Sequence, residues 1–265
     1  MKTLNPSQKN PRLRYEYDRG SGYEEELRLT TALSALVPAD DLVHPDHRLF
    51  QVVHLMTEYA WVAIHHTMCD LEAALAKGDL VGAVRLLKRA TDLSALPVSC
   101  ARLLTDSLPQ LSFLQMRAAF PANSSGLDSP GARGIRKAGM AVWQAFEGEL
   151  ASHAVTMDDL VPATDPSFSG ETRMAQLADL VMQMQRFDTR ILEWKQVHLN
   201  LVWQLLGGHP CAGDALAGPE ERPTSMRGRP ISDLERLSAR PLFPKLWQHS
   251  TSLYQSYGTA PGCSY

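Results

Sequence analysis

Apolar residues recur along this chain at spacings of three and four, and long stretches alternating apolar with polar are absent. That periodicity predicts helices rather than strands. The first helix is expected over about 23–37, ending before Pro38. Asp46 can cap a second, from His47 to about Lys77, where Gly78-Asp79 stops it. Leu80 to Asp92 reads as a third, and Val98 to about Phe120 as a fourth, broken by Pro109. Residues 121–131 are rich in turn formers and read as a loop, after which helix resumes over about 134–153. A second loop, 159–170, precedes a long helix from Glu171 to Leu206, closed by Gly207-Gly208 where a helix C-cap favours glycine. Residues 207–230 are dense in Gly and Pro and read as a long loop, a candidate lid. Short helices near 231–239 and 244–257 finish the chain, and no internal repeat is present. The expectation is all-α: a flexible arm over 1–22 and a single helical domain over 23–265.

Composition narrows the function classes. With 44% hydrophobic residues in 265, the chain can bury a sizeable core. Its net charge of −3 gives no positive field for nucleic acid or an anionic membrane, and the group Arg133, Arg136, Lys137 is too sparse to make one. Cys69, Cys100, Cys211 and Cys263 are widely spaced with no CxxC pair, which reads as free thiols in a reducing compartment. Residues 1–22 lack the apolar region of a signal peptide, and no apolar run reaches the roughly 18 residues of a membrane span. These features together predict a cytoplasmic protein without a membrane partner.

Two of the nine histidines sit in apolar surroundings. In the long helix Leu177, Met184, Ile191, His198 and Leu205 follow at sevens, beside a second line of Leu180, Phe187, Trp194 and Leu201. His198 therefore lies in a core-facing stripe. Its ring nitrogens need partners, either hydrogen bonds in a core or a metal such as haem iron. His54 lies in a segment, Phe50 to Trp61, that is apolar nearly all round, where a lone histidine is more often structural than catalytic. His65-His66 and the His44/His47 pair lack further ligands at zinc spacing. ExxH, GxSxG, P-loop and strand-linked GxGxxG motifs are absent, which removes di-iron bundles, α/β-hydrolases and nucleotide folds.

Four segments in order resemble the tryptophan 2,3-dioxygenase family. The first is Tyr23-Glu-Glu-Glu-Leu27 through Leu33; the second, Leu49-Phe50-Gln-Val-Val-His54 followed by Glu58-Tyr59-Ala60-Trp61. The third is Met116-Arg117 with Asn123-Ser124-Ser125-Gly126, and the fourth Leu192-Glu193-Trp194-Lys195-Gln196-Val197-His198 followed by Gly207. The C-terminal Leu242-Phe243-Pro244-Lys245-Leu246-Trp247 is also similar.

The resemblance implies a helical protomer with haem b between helices, ligated by His198, in a homotetramer. It implies His54 as the catalytic residue that meets the indole N–H, and Phe50 packed on the indole. Arg117 would hold the substrate carboxylate through its planar fork, although Asp106 or Asp128 could be its partner instead. Ser125 and Gly126 would line the pocket, and Tyr23 and Leu27 would close it from a neighbouring protomer. Two pocket positions depart from the family. Phe113 replaces a tyrosine, and Cys211-Ala212-Gly213 replaces a glycine–threonine–glycine loop, putting Ala212 where a threonine meets the substrate ammonium. Glu26 also replaces a tyrosine, and the chain is shorter before the long helix. Each lost hydrogen bond is worth on the order of 0.5–1.5 kcal/mol. The expected activity is O₂-dependent oxidation of L-tryptophan or a substituted tryptophan in natural-product biosynthesis, by oxindole-forming monooxygenation or C2–C3 dioxygenation. The alternatives are a haem-dependent hydroxylase of another aromatic such as tyrosine, and a non-catalytic haem-binding helical protein.

Overall fold

The computed structural model describes residues 21–121, 129–212, 223–226 and 228–258, together with 2–3, 16–17, 124 and 126. In the N-terminal arm, β1 (Lys2–Thr3) and β2 (Glu16–Tyr17) form a two-residue antiparallel ladder, which the helical periodicity gave no reason to expect. Helices follow: α1 (Gly22–Leu27), α2 (Leu29–Ser34), α3 (His47–Ala76), α4 (Leu80–Leu93), α5 (Ala95–Ser107), α6 (Gln110–Ala119), α7 (Pro130–Ser152), α8 (Thr172–Leu206), α9 (Ile231–Ser238) and α10 (Pro244–Gly258). The chain is all-α in its body, and no described helix is long and apolar enough to cross a membrane.

The helix expected over 23–37 is two helices. Arg28 takes a left-handed φ of 51° between them. The Glu24 carboxylate accepts both the Thr30 hydroxyl, at 2.6 Å, and the Thr30 N–H, so it satisfies donors at the start of α2 and favours a new helix over a continuous one. Asp46 occupies the N-cap position of α3 but its side chain caps nothing; its own N–H donates to His44 Nδ1. Pro109 does separate α5 from α6, and α5 begins earlier than expected because Pro97 is tolerated in a first turn. The expected loop at 159–170 opens with two short 3₁₀ turns, Asp158–Leu160 and Pro162–Thr164. In the 207–230 loop the described parts include a 3₁₀ turn at Pro210–Ala212 and a bridge between Thr224 and Pro230.

The larger core joins α3, α4, α7 and α8 through Trp61, Met68, Leu87, Phe146, Met184 and Phe187. The paired heptad lines of α8 are borne out here, with Leu177, Leu180, Met184, Phe187 and Ile191 buried. Burying each such side chain contributes about 1.5–3 kcal/mol. A smaller core at the other end of α8 gathers Val53, Cys100, Leu104, Leu108, Met116, Leu201 and Leu205, with Phe50, Phe113 and Phe120 packed against it. His54 and His198 lie in sequence between the two cores, one on α3 and one on α8. Cys69, Cys100 and Cys211 are free thiols.

Two devices fix the frame around that junction. Gly131, in the first turn of α7, lies so close to α3 that a Cβ would sit 2.4 Å from Trp61 Cβ. Its N–H donates to Glu58 at 3.2 Å. On the far side of α8, fully buried Asp188 accepts the N–H groups of Leu242 and Phe243, at 2.6 and 3.0 Å, and the Trp247 indole N–H at 2.9 Å. One carboxylate thereby anchors the C-terminal segment.

Candidate functional site

Phe50, His54, Glu58, Trp61 and His65 follow each other on α3 at steps of four, four, three and four, which places them on one face. Phe50 is its aromatic centre. Its ring lies 4.1 Å from His54, 6.1 Å from Phe113 and 5.5 Å from Phe120. Phe113 and Phe120 stand at the two ends of α6, so α6 walls the start of this face.

His54 Nδ1 lies 2.7 Å from the Phe50 carbonyl oxygen. A carbonyl only accepts, so Nδ1 carries the proton and Nε2 is left with an open lone pair. Burial lowers the proton affinity of His54, offset in part by the Phe50 carbonyl and by Glu58. By area, however, the ring is exposed. The ring is thus surrounded by protein on most sides while part of it still reaches solvent.

His198 is half-buried, and burial pushes its pKa down to about 4, with the charge of His54 as the second cause. The two imidazoles therefore share one electrostatic neighbourhood, and His198 is neutral at pH 7. Among the described residues it has no hydrogen-bond partner. Trp194, one turn earlier on α8, stacks on it at 5.7 Å with a 25° interplanar angle, and Trp61 of α3 meets Trp194 edge-on at 4.9 Å. The ring is thus oriented by stacking, with lone-pair chemistry left open. The described residues include no group of three His, Cys, Asp or Glu able to hold a metal ion. A metal at His198 has to bring most of its ligands with it, as a porphyrin does.

Arg117, in the last turn of α6, is half-buried and donates from Nη2 to the Thr224 carbonyl at 2.9 Å. Among the described residues it pairs with no carboxylate, Asp106 included; Asp128 lies outside them. Ser125 also lies outside the described residues. Gly126 is exposed, and a Cβ there would meet nothing within 4 Å, so no close approach demands glycine in the single chain. Ala212 ends the 3₁₀ turn after α8. Tyr23 and Leu27 are 68% and 46% exposed on α1, which packs chiefly on α2. The fold thus gathers Phe50, His54 and Phe113, with His54 near enough to His198 to disfavour its protonation. It leaves Tyr23 and Leu27 outside the chain's own site.

Sequence reasoning missed Phe120, Trp194 as the orienting ring, and Thr224. A readable signal existed for Trp194, one helical turn before His198, but none for Thr224, which lies 107 residues from its partner Arg117. No protein-family model and no curated protein matches the chain.

Proposed function

We propose that this protein is a haem-dependent oxygenase of the tryptophan 2,3-dioxygenase type, acting on the indole ring of L-tryptophan or a substituted tryptophan with O₂. The observation that carries this reading is His198: a neutral imidazole with no hydrogen-bond partner among the described residues, oriented by Trp194 and coupled to a second imidazole whose Nε2 is open. A neutral nitrogen with a free lone pair is what an axial iron ligand needs. Bound haem would supply O₂ activation; the chain's own residues would supply binding, orientation and proton handling.

Phe50, flanked by Phe113 and Phe120, offers an aromatic wall for an indole, where offset or edge contacts fix the ring plane. His54 Nε2 accepts the indole N–H, because Nδ1 is already committed to the Phe50 carbonyl. That single hydrogen bond selects which edge of the ring faces the reaction. Arg117 retains N–H groups beyond the one given to Thr224 and takes the substrate carboxylate. In a homotetramer, Tyr23 and Leu27 would find their partner in a neighbouring copy.

The test is an absorption spectrum of the purified, haem-supplemented protein, then reduction, addition of L-tryptophan and O₂, and the mass of the product. A Soret band that His198→Ala abolishes, with a product heavier by one or two oxygen atoms, is the expected result. Haem uptake undiminished in His198→Ala overturns the ligand assignment, and no Soret band in the native chain overturns the function.

A further inference from the structure

Four rings follow one another at the start of α3. Between centroids, His54 lies 4.1 Å from Phe50, Phe50 5.5 Å from Phe120, and Phe120 5.3 Å from His47. His47 opens α3, three residues before Phe50 and seven before His54. Seven residues make nearly two full turns, so both histidines share the face of Phe50 and stand about 10.5 Å apart along the helix axis. The aromatic wall offered to an indole therefore has an imidazole at each end.

The two imidazoles are prepared differently. His54 Nδ1 is committed to the Phe50 carbonyl, which leaves Nε2 as an acceptor. His47 Nδ1 is buried and has no hydrogen-bond partner among the described residues. Its Nε2 has no partner among them either, and it is not closed off. Burial, and after it the charge of Arg48, lower the proton affinity of His47, so this ring is neutral at pH 7. Of its two neutral tautomers, the one protonated at Nδ1 would bury an N–H without an acceptor, the costlier omission. The proton therefore sits on Nε2, and His47 offers a donor where His54 offers an acceptor.

The spacing fits one kind of ligand. In an indole, C5 lies para to the ring carbon that bears the nitrogen. With hydrogen bonds of ordinary length at both ends, an indole N–H and a 5-hydroxyl bridge two nitrogens about 11 Å apart, close to the rise of α3 between His47 and His54. We propose that His47 is a specificity-determining residue of this site, donating from Nε2 to an oxygen on the 5-position of the indole, and that the substrate is a 5-hydroxy-substituted tryptophan. This rests on the indole reading above and narrows it to one substrate class. His47 binds and positions; it does not take part in the oxidation.

The experiment is calorimetric titration of the haem-supplemented protein and its His47→Phe and His47→Gln variants. The ligands are L-tryptophan, 5-hydroxy-L-tryptophan and 5-methyl-L-tryptophan, which matches the hydroxyl in size but accepts no hydrogen bond. The native protein is expected to prefer the 5-hydroxy ligand over L-tryptophan by roughly fivefold to tenfold, the scale of one hydrogen bond. Phenylalanine keeps a ring against Phe120 and removes the donor, so His47→Phe should lose that preference. Glutamine keeps an N–H donor, so His47→Gln should retain most of it. A native protein without the preference overturns the proposal, whether or not the variants fold. A 5-methyl ligand favoured as strongly as the 5-hydroxy one would assign the gain to space, and a preference that survives His47→Phe would place the donor elsewhere; either result overturns it too. L-tryptophan binding without a 5-hydroxy preference leaves the indole reading standing, while absence of binding by all three ligands ends both.

Discussion

At His198 the fold holds an imidazole that resists protonation, and the consequence can be read in stability. An unfolded histidine titrates near 6.5, whereas His198 in the folded chain titrates at about 4. Between those values the unfolded state binds more protons, so stability is fully present above about pH 6.5 and falls as pH drops towards 4. A shift of this size corresponds to at most about 3 kcal/mol. Denaturant unfolding of the haem-free protein at pH 7 and pH 4.5 should show a loss of that order. Because burial also lowers His54 and His47, His198→Leu should remove only part of the pH slope. An unaltered slope in that variant would mean that His198 is not the group being charged. In the folded chain the same proton competes for the nitrogen proposed to bind iron only as pH approaches 4, so haem affinity should hold well below pH 6.5 and decline near pH 4.

At the scale of elements, the helices were legible and their neighbours were not. Periodicity placed α3, α4 and α8 within a few residues because each buries an apolar stripe. The break at Arg28 was hidden because it depends on the Glu24 carboxylate turning to Thr30, a side-chain choice that no pattern of apolar positions records. His54 and His198 were each recognised on their own helix. Their coupling, and the Phe50–Phe113–Phe120 wall, exist only because α3, α6 and α8 meet around the smaller core. Asp188 is the clearest case of an unreadable residue. Among polar neighbours Arg186, Thr189 and Arg190 it looks like one more solvent-facing side chain, yet it is fully buried and accepts three N–H groups from Leu242, Phe243 and Trp247. Replacing it by alanine strands the buried Phe243 N–H and weakens the hold on the partly buried Leu242 and Trp247 donors, at a cost on the order of 2–4 kcal/mol. Chemical denaturation of Asp188→Ala should show that loss, and limited proteolysis should open the chain near 240–247 first. A loss under about 1 kcal/mol would mean that α10 holds its place by Phe243 and Leu246 alone.

At the scale of the whole molecule, stability is concentrated in α3–α10 and the N-terminal segment contributes little to it. Neither α1 nor α2 contains a buried residue, and α1 leaves Tyr23 and Leu27 uncovered. A six-residue helix has no stability of its own in water, so its form depends on what it packs against. Beyond α2 the chain is tied to the body: the Arg48 guanidinium and the Gln51 side-chain oxygen hold Val37, and the Gln51 amide donates to the Ala35 carbonyl. The body should therefore fold without α1. Deleting residues 1–28 is expected to leave helix content per residue and the unfolding midpoint of dilute protein unchanged within about 2 °C, which for a chain of this size is under 1 kcal/mol. A larger fall at low concentration would place α1 on its own body. If α1 instead docks on another copy, the native chain should melt higher as its concentration rises, by mass action, and the truncated chain should lose that dependence. The same pair of melts, repeated with L-tryptophan, then asks where Tyr23 and Leu27 act. Ligand stabilisation that disappears with residues 1–28 puts them at a neighbouring site, while equal stabilisation in both chains removes them from substrate binding.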